Sequence, residues 1–394
     1  MSGSVFLPAK SDDGTSFLGR RVSRKKKEYV QMSPTPSNPG QTHPRNCWYM
    51  LATSEEVGRE PLGRRALDSG VVLYRTTDGS PVALEDRCAH RPYPLSLGRI
   101  EGDNIVSGYT GFVYDPRGFC VHVPTQSEIP VGARVRAYPV HEDGVFIWAW
   151  LGEPSLARLR PPPVTPWLND PGWATLGDVW ETEADVLLLH ENFADITHVA
   201  VVDPFIAPPV LRSSPPPLEV EVTETTVSFS RTYEPAPIPA WQAELLGLPA
   251  DVEHVQYEQG AFVTPGLWVD RWDVREESGP NDAKVHTFRF THAVTPISPG
   301  RTRHAWRVSR NFALGEQAGR VLLPIFTDYY RRVQRILETM QDVLDADGPR
   351  KEINVSADAA ALQVRKIIRN MVADETGAWF RGPASAPVRT VRNS

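Results

Sequence analysis

Cysteine is scarce in this chain: Cys47, Cys88 and Cys120 are the only three among 394 residues. They are too few and too scattered for a disulfide framework, so reduced thiols are expected. A basic surplus is missing too. The formal net charge is −6, and neutralising phosphates needs clustered Lys and Arg, which argues against a nucleic-acid partner. The one basic run, Arg20 to Lys27, lies in a polar stretch and reads as a solvated tail, with an anionic partner as the alternative. No apolar run approaches the roughly 20 residues that cross a bilayer. No apolar stretch follows the basic charge of the first residues either, so a cytoplasmic protein with no membrane contact is expected. What is present is globular: 41% hydrophobic residues in a chain long enough for two domains.

Residues 1–44 are rich in Ser, Pro, Gly, Lys and Arg without apolar periodicity, which predicts a mostly disordered leader. Across 45–155 short β-like runs alternate with turns such as Asp78-Gly79 and Asp143-Gly144, the pattern of a small all-β domain. Residues 156–166, with Pro161, Pro162 and Pro163 among them, read as a linker. Residues 167–380 are mixed. Asp185 to His198 has helical periodicity, as do Val321 to Leu344 and Ala359 to Glu375. Between them lie β-like stretches at Leu218 to Tyr233, His254 to Asp273, Lys284 to Val294 and Arg303 to Arg310. Residues 381–394 read as a tail. The fold class is α+β, with helices on a largely antiparallel sheet.

Two groups of residues carry a resemblance. The first comprises Cys88-Ala89-His90-Arg91, Pro94 to Gly98, Ser107-Gly108-Tyr109-Thr110-Gly111-Phe112, Gly118 to Pro124 and Tyr138 to Gly144. The second is Glu191-Asn192-Phe193-Ala194-Asp195-Ile196-Thr197-His198. Over about residues 46–375 the chain resembles the Rieske-type non-haem iron oxygenases, vanillate O-demethylase-like. The resemblance implies a Rieske-like β domain followed by a helix-plus-antiparallel-sheet, START-like catalytic domain. It also implies a [2Fe–2S] cluster held by a Cys-x-His and a Cys-x-x-His pair, and a helix bearing a bridging Asp, at Asp195, and two His ligands of a mononuclear iron. Head-to-tail trimers are the family's assembly.

The implied ligand sets are incomplete here. A Rieske cluster takes two thiolates and two imidazoles. Cys88 and His90 remain as cluster-loop positions, whereas Ser107 and Thr110 occupy the second pair. These two are expected to be structural, hydrogen-bonding the loop to itself. Cys120-Val121-His122 repeats the Cys-x-His spacing beyond the second loop, and Cys120 reads as a small buried hydrophobe. At the iron site His198 holds the first position, Asp203 the second. The third falls near Tyr330 to Val333, where no carboxylate stands, and Asp328 lies half a turn or more away. A site of His198, Asp203 and Asp328 is the alternative. The expectation is therefore no metal and no cofactor, with [2Fe–2S] and Fe(II) disfavoured.

What a scaffold without these centres would offer is an apolar cavity for an organic molecule. Phe193, Val199, Val201, Val202, Phe205, Ile206, Trp241, Phe262, Trp268 and Trp272 suit either such a cavity or ordinary core. The catalytic candidates are His198, Asp195 and Asp203. Asp195 is placed to orient the His198 imidazole as a general acid or base, or the two form a structural remnant; Asp203 adds a carboxylate or pairs with an arginine. His190 is expected at solvent or a subunit contact. The leading expectation is a non-redox enzyme promoting cyclisation or rearrangement of a hydrophobic small molecule in secondary-metabolite, antibiotic-type biosynthesis. Two alternatives stand beside it: a catalytically silent subunit partnering an intact Rieske oxygenase, and an iron-dependent monooxygenase or demethylase with unusual ligands. A homotrimer, or a heteromer with an intact homologue, is the expected assembly.

Overall fold

The alternating runs between Trp48 and Trp150 pair into three small antiparallel sheets. The structure, a computed structural model, describes residues 41–276, 285–376 and 389–391. The strands of the first part are β1 (Trp48–Thr53), β2 (Leu62–Ala66), β3 (Ser69–Arg75), β4 (Pro81–Glu85), β5 (Arg99–Glu101), β6 (Asn104–Val106), β7 (Val113–Tyr114), β8 (Cys120–His122), β9 (Val140–Glu142) and β10 (Phe146–Trp150). They order as β1-β10-β9, β2-β3-β4 and β5-β6-β7-β8. β10 is apolar throughout because both its faces are covered. Ile147 and Ala149 join one core, while Phe146, Trp148 and Trp150 join another. The turn before it is fixed by Asp143, whose Oδ1 accepts the N–H groups of Val145 and Phe146, and by Gly144 at φ +90°.

Around the prolines expected to form a linker lie two short 3-10 turns, Pro154–Leu159 and Pro166–Leu168, each opened by a proline that needs no N–H partner there. β11 (Ala174–Thr182), β12 (Glu219–Val222), β13 (Val227–Thr232), β14 (His254–Thr264), β15 (Leu267–Glu276), β16 (His286–Ser298), β17 (Arg301–Arg310) and β18 (Arg389–Val391) then build one antiparallel sheet, ordered β11-β17-β16-β15-β14-β13-β12-β18. Five α-helices among the described residues accompany it: α1 (Val186–Ala194), α2 (Val199–Val202), α3 (Ala240–Leu246), α4 (Glu316–Asp347) and α5 (Ala359–Thr376). The α+β class and the predicted helical and β-like stretches agree with this arrangement.

Two boundary expectations differ. Most of the expected leader and tail lies outside the described residues, but 41–44 and 389–391 are built into the fold. His43 is buried with Nε2 3.3 Å from Asp185, and the Pro44 carbonyl accepts the Tyr49 hydroxyl. β18 extends the large sheet through β12. No turn-length periodicity marks a three-residue edge strand, so composition alone assigns it to a tail.

Backbone bonds stitch the small sheets to the large one. Leu67 N–H donates to Pro296 O and Asp68 N–H to Ile297 O, at 2.8 and 3.0 Å, and the Thr295 hydroxyl donates to Met50 O. One continuous core joins Tyr49, Leu51 and Ala149 to Leu189, Phe262, Trp268, Val294 and Ile367.

Candidate functional site

Two loops face each other in the small sheets. Cys88 and His90 lie between β4 and β5, and Ser107 and Thr110 between β6 and β7. The second loop runs close over the first: a Cβ at Gly108 would sit 2.5 Å from Leu97 O. Cys88 Sγ lies 3.2 Å from the Tyr114 hydroxyl and 3.5 Å from Thr110 Oγ1. Burial alone would raise the thiol pKa, but the hydrogen bonds from Tyr114 and Thr110 bring it below its ordinary value. The His90 ring stacks on Phe112 at 4.9 Å. Thr110 therefore does tie the loops together, through Cys88. Ser107 differs from expectation. Its backbone closes the loop, bonding Phe112 O and Gly111 N, but its buried Oγ has no partner among the described residues. Cys120 packs in the apolar core of this region and His122 is exposed.

The second group sits where α1 ends. Asp195 caps the turn Ile196–His198: its carboxylate accepts the Thr197 N–H and hydroxyl, both at 2.9 Å. Its backbone carbonyl, rather than its carboxylate, orients His198, accepting from Nδ1 at 2.6 Å. A carbonyl oxygen can only accept, so Nδ1 carries the proton and Nε2 is an acceptor. Nε2 receives the Tyr329 hydroxyl at 3.2 Å and the Asn192 amide at 3.1 Å. Burial holds the His198 pKa down, and it pushes that of Tyr329 up. Asp203 is engaged elsewhere: Oδ1 accepts the N–H groups of Phe205 and Ile206, and Oδ2 lies 3.2 Å from Arg332. Asp328 is exposed. The residue of α4 that meets His198 is Tyr329, just ahead of the Tyr330 to Val333 span expected to face it. His190 is not at solvent: it is fully buried, its Nε2 bonded to Pro265 O, and burial lowers its pKa to about 4.

His198 and Asn192 also line a cavity of about 120 Å³ between the large sheet and α4. Trp241, Phe288, Phe290 and Phe326 form a mutually contacting aromatic group along it. Of the apolar residues expected there, Phe193, Val199, Ile206, Trp241 and Trp272 line it. Phe262 and Trp268 are core, while Val201 and Phe205 are exposed. The polar lining comes from the strands as well. Glu258, Asp270 and His292 alternate with apolar neighbours on one sheet face, and none of the three was legible as a site residue. The signal available was a carboxylate between two tryptophans at i±2, in Trp268-Val269-Asp270-Arg271-Trp272, which a strand buries on one face. Trp268 Nε1 donates to Asp270 Oδ1 at 2.7 Å. Burial raises the Asp270 pKa well above the usual carboxylate range and depresses His292 well below the usual imidazole one.

Comparison with known proteins follows this division of the chain. Residues 47–139 match the Rieske [2Fe-2S] domain, and 182–374 match the vanillate O-demethylase oxygenase C-terminal domain. The putative toluene-4-sulfonate monooxygenase system iron–sulfur subunit of Comamonas testosteroni is 29% identical over 360 residues, covering 84% of this chain and 98% of that protein. The oxygenase component of dicamba O-demethylase from Stenotrophomonas maltophilia is 28% identical over 351 residues, covering 84% and 98%. A crystal structure of dicamba monooxygenase with 3,6-dichlorosalicylic acid superposes at TM-score 0.77 with 27% identity, covering 84% of this chain and 98% of that one. The chain belongs to the Rieske-type oxygenases of the vanillate O-demethylase kind.

Two expectations are corrected by these findings. The two relatives described above and a vanillate O-demethylase oxygenase subunit of Pseudomonas are components of monooxygenases or demethylases, not secondary-metabolite cyclases. The expectation of no cofactor is overturned at the level of the family: the matched domain is a [2Fe–2S] domain, and a related dicamba monooxygenase structure contains non-haem iron. The donors on this chain fit those groups only in part. Cys88 touches Thr110 directly across the loops, the buried Ser107 side chain beside them carries a hydroxyl and no thiol, and His198 Nε2 is taken up by Tyr329 and Asn192. Among the described residues no three His, Cys, Asp or Glu side chains converge on one point that could hold a metal. Nor is any described helix long and apolar enough to cross a membrane.

Proposed function

We propose that this chain is the substrate-binding oxygenase subunit of a monooxygenase or demethylase system, and that its substrate is a compact, largely aromatic molecule held between α4 and the large sheet. One observation carries the reading: a cavity walled by Trp241, Phe288, Phe290 and Phe326, with a small set of hydrogen-bonding groups that includes Asn192, His198, Tyr329, Glu258 and the Asp270–His292 pair. Aromatic walls exclude water and hold a planar ligand face-on, while a few placed polar groups fix its orientation. The relatives' names support oxidation over cyclisation. A second reading, a subunit that binds substrate beside an intact homologue, is favoured by the partners already saturating His198 and Asp203.

The test uses full-length protein from iron-replete cells, purified without oxygen and supplied with a ferredoxin, its reductase, NADH and a panel of methoxylated benzenes. The expected result is ligand-dependent quenching of tryptophan emission from Trp241 and Trp272, together with substrate-dependent oxygen uptake and formaldehyde release. Binding without oxygen uptake selects the second reading, and absence of binding across the panel removes both.

A further inference from the structure

Asp270 stands alone in the cavity as a carboxyl without a counter-charge. It lies in the middle of β15, with Gly260 opposite it on β14 and Phe290 opposite it on β16. Gly260 is what makes room: a Cβ there would sit 2.7 Å from Asp270 Oδ1. Oδ1 accepts the Trp268 indole N–H. Oδ2 reaches only His292 Nε2, at 3.7 Å, beyond hydrogen-bonding distance. Among the described residues no Arg or Lys pairs with Asp270. Its neighbour Arg271 is already bonded to Asp273 at 2.6 Å, as adjacent strand residues pointing to opposite faces require.

His292 completes the polar corner. It is 3% exposed, its Nδ1 lies 3.0 Å from His304 Nε2, and its ring stacks on Phe193 at 4.1 Å. Its Nε2 makes no hydrogen bond among the described residues. The cavity's other carboxylate, Glu258, is compensated, since it accepts the Tyr233 hydroxyl and lies 3.4 Å from Arg231. Of the remaining lining, Arg271 has its guanidinium bonded to Asp273, Gln242 is neutral, and Trp272, Phe288, Phe290, Phe326 and Tyr330 offer rings whose faces attract a cation.

Given the proposal that this cavity holds the substrate, we infer that the substrate is a small aromatic amine and that Asp270 is the counter-ion of its ammonium group. One uncompensated acid, one neutral imidazole and several ring faces are complementary to a cation and repel a carboxylate. Burial raises the Asp270 pKa; a bound ammonium would remove that penalty, whereas a neutral ligand would leave it.

The experiment is isothermal titration of the full-length protein near neutral pH with benzylamine, benzyl alcohol and benzoate, which share a ring and differ in the polar group. Benzylamine is expected to bind about tenfold or more tighter than benzyl alcohol, with benzoate weakest. Asp270→Asn keeps an oxygen for the Trp268 indole, and it should abolish the amine preference, bringing benzylamine to or below benzyl alcohol. Equal binding of amine and alcohol, tighter binding of benzoate, or an amine preference that survives Asp270→Asn overturns the assignment. The wild-type ranking alone decides the matter if the variant does not fold. If none of the three binds, the cavity reading itself falls, whereas alcohol binding without amine preference removes only the counter-ion.

Discussion

Replacing Glu258 by alanine is expected to destabilise the protein by about 3–5 kcal/mol, because it leaves a buried guanidinium without its partner. Glu258 and Arg231 are both nearly sealed from solvent, with side-chain exposures of 5% and 4%. The Arg231 Nε already lacks a partner, so the pair has no reserve. Tyr233 is tied in as well, donating its hydroxyl to the same carboxylate oxygen at 2.5 Å. Burial raises the Glu258 pKa and Arg231 counteracts it, so the carboxylate and the guanidinium each make the other tolerable. Glu258→Gln keeps an acceptor for the tyrosine and should cost less. Urea unfolding followed by circular dichroism separates the two variants, and equal midpoints for parent and Glu258→Ala would show that Arg231 finds another partner.

Acid should unfold this protein through its buried imidazoles. Burial lowers the His304 pKa from 6.5 to about 3. Between those values the unfolded chain binds a proton that the folded chain refuses. The contribution of His304 is therefore fully present above 6.5 and is lost as pH falls toward 3. At about pH 4.5 the loss amounts to roughly 2.5 kcal/mol relative to neutral pH. Buried acids such as Asp270 act in the opposite sense, but they are common to parent and variant. His304→Gln should thus lose roughly 2.5 kcal/mol less than the parent over the same interval. Parallel pH profiles for the two proteins would mean that His304 is protonated as readily in the fold as out of it.

The fold was legible because its signals are local and repeated. Strand runs such as Phe146 to Trp150, the Asp143-Gly144 turn and the long amphipathic stretch of α4 each specify their own element. The two facing loops were legible from Cys88, His90 and the turn residues around them. The site was legible only where a motif is contiguous, as from Asn192 to His198. Asp270, His292 and Glu258 lie on three different strands, and they meet only after registers such as Asp270↔Phe290 and Glu258↔Trp272 are set. A single chain read in one dimension does not carry that pairing. His190 shows the same limit. Counting turns from His198 suggested an outer face, whereas the ring is enclosed by Phe193, Phe262 and Trp268, contributed partly by strands seventy or more residues away. Tyr329 was passed over because ligand-seeking reasoning asks for a carboxylate there, and a hydroxyl answers the imidazole instead.

The bonds from Leu67 and Asp68 to the end of β16, together with the Thr295 hydroxyl on Met50, have a consequence for how the molecule comes apart. Two sequence families meet in this chain, yet the seam between them does not coincide with a gap in the core. Thermal melting should accordingly proceed as one cooperative transition, and a fragment ending near residue 155 should expose Tyr49, Leu51 and Ala149 to water and self-associate. The two halves are therefore expected to act as a single mechanical body, neither loosening before the other.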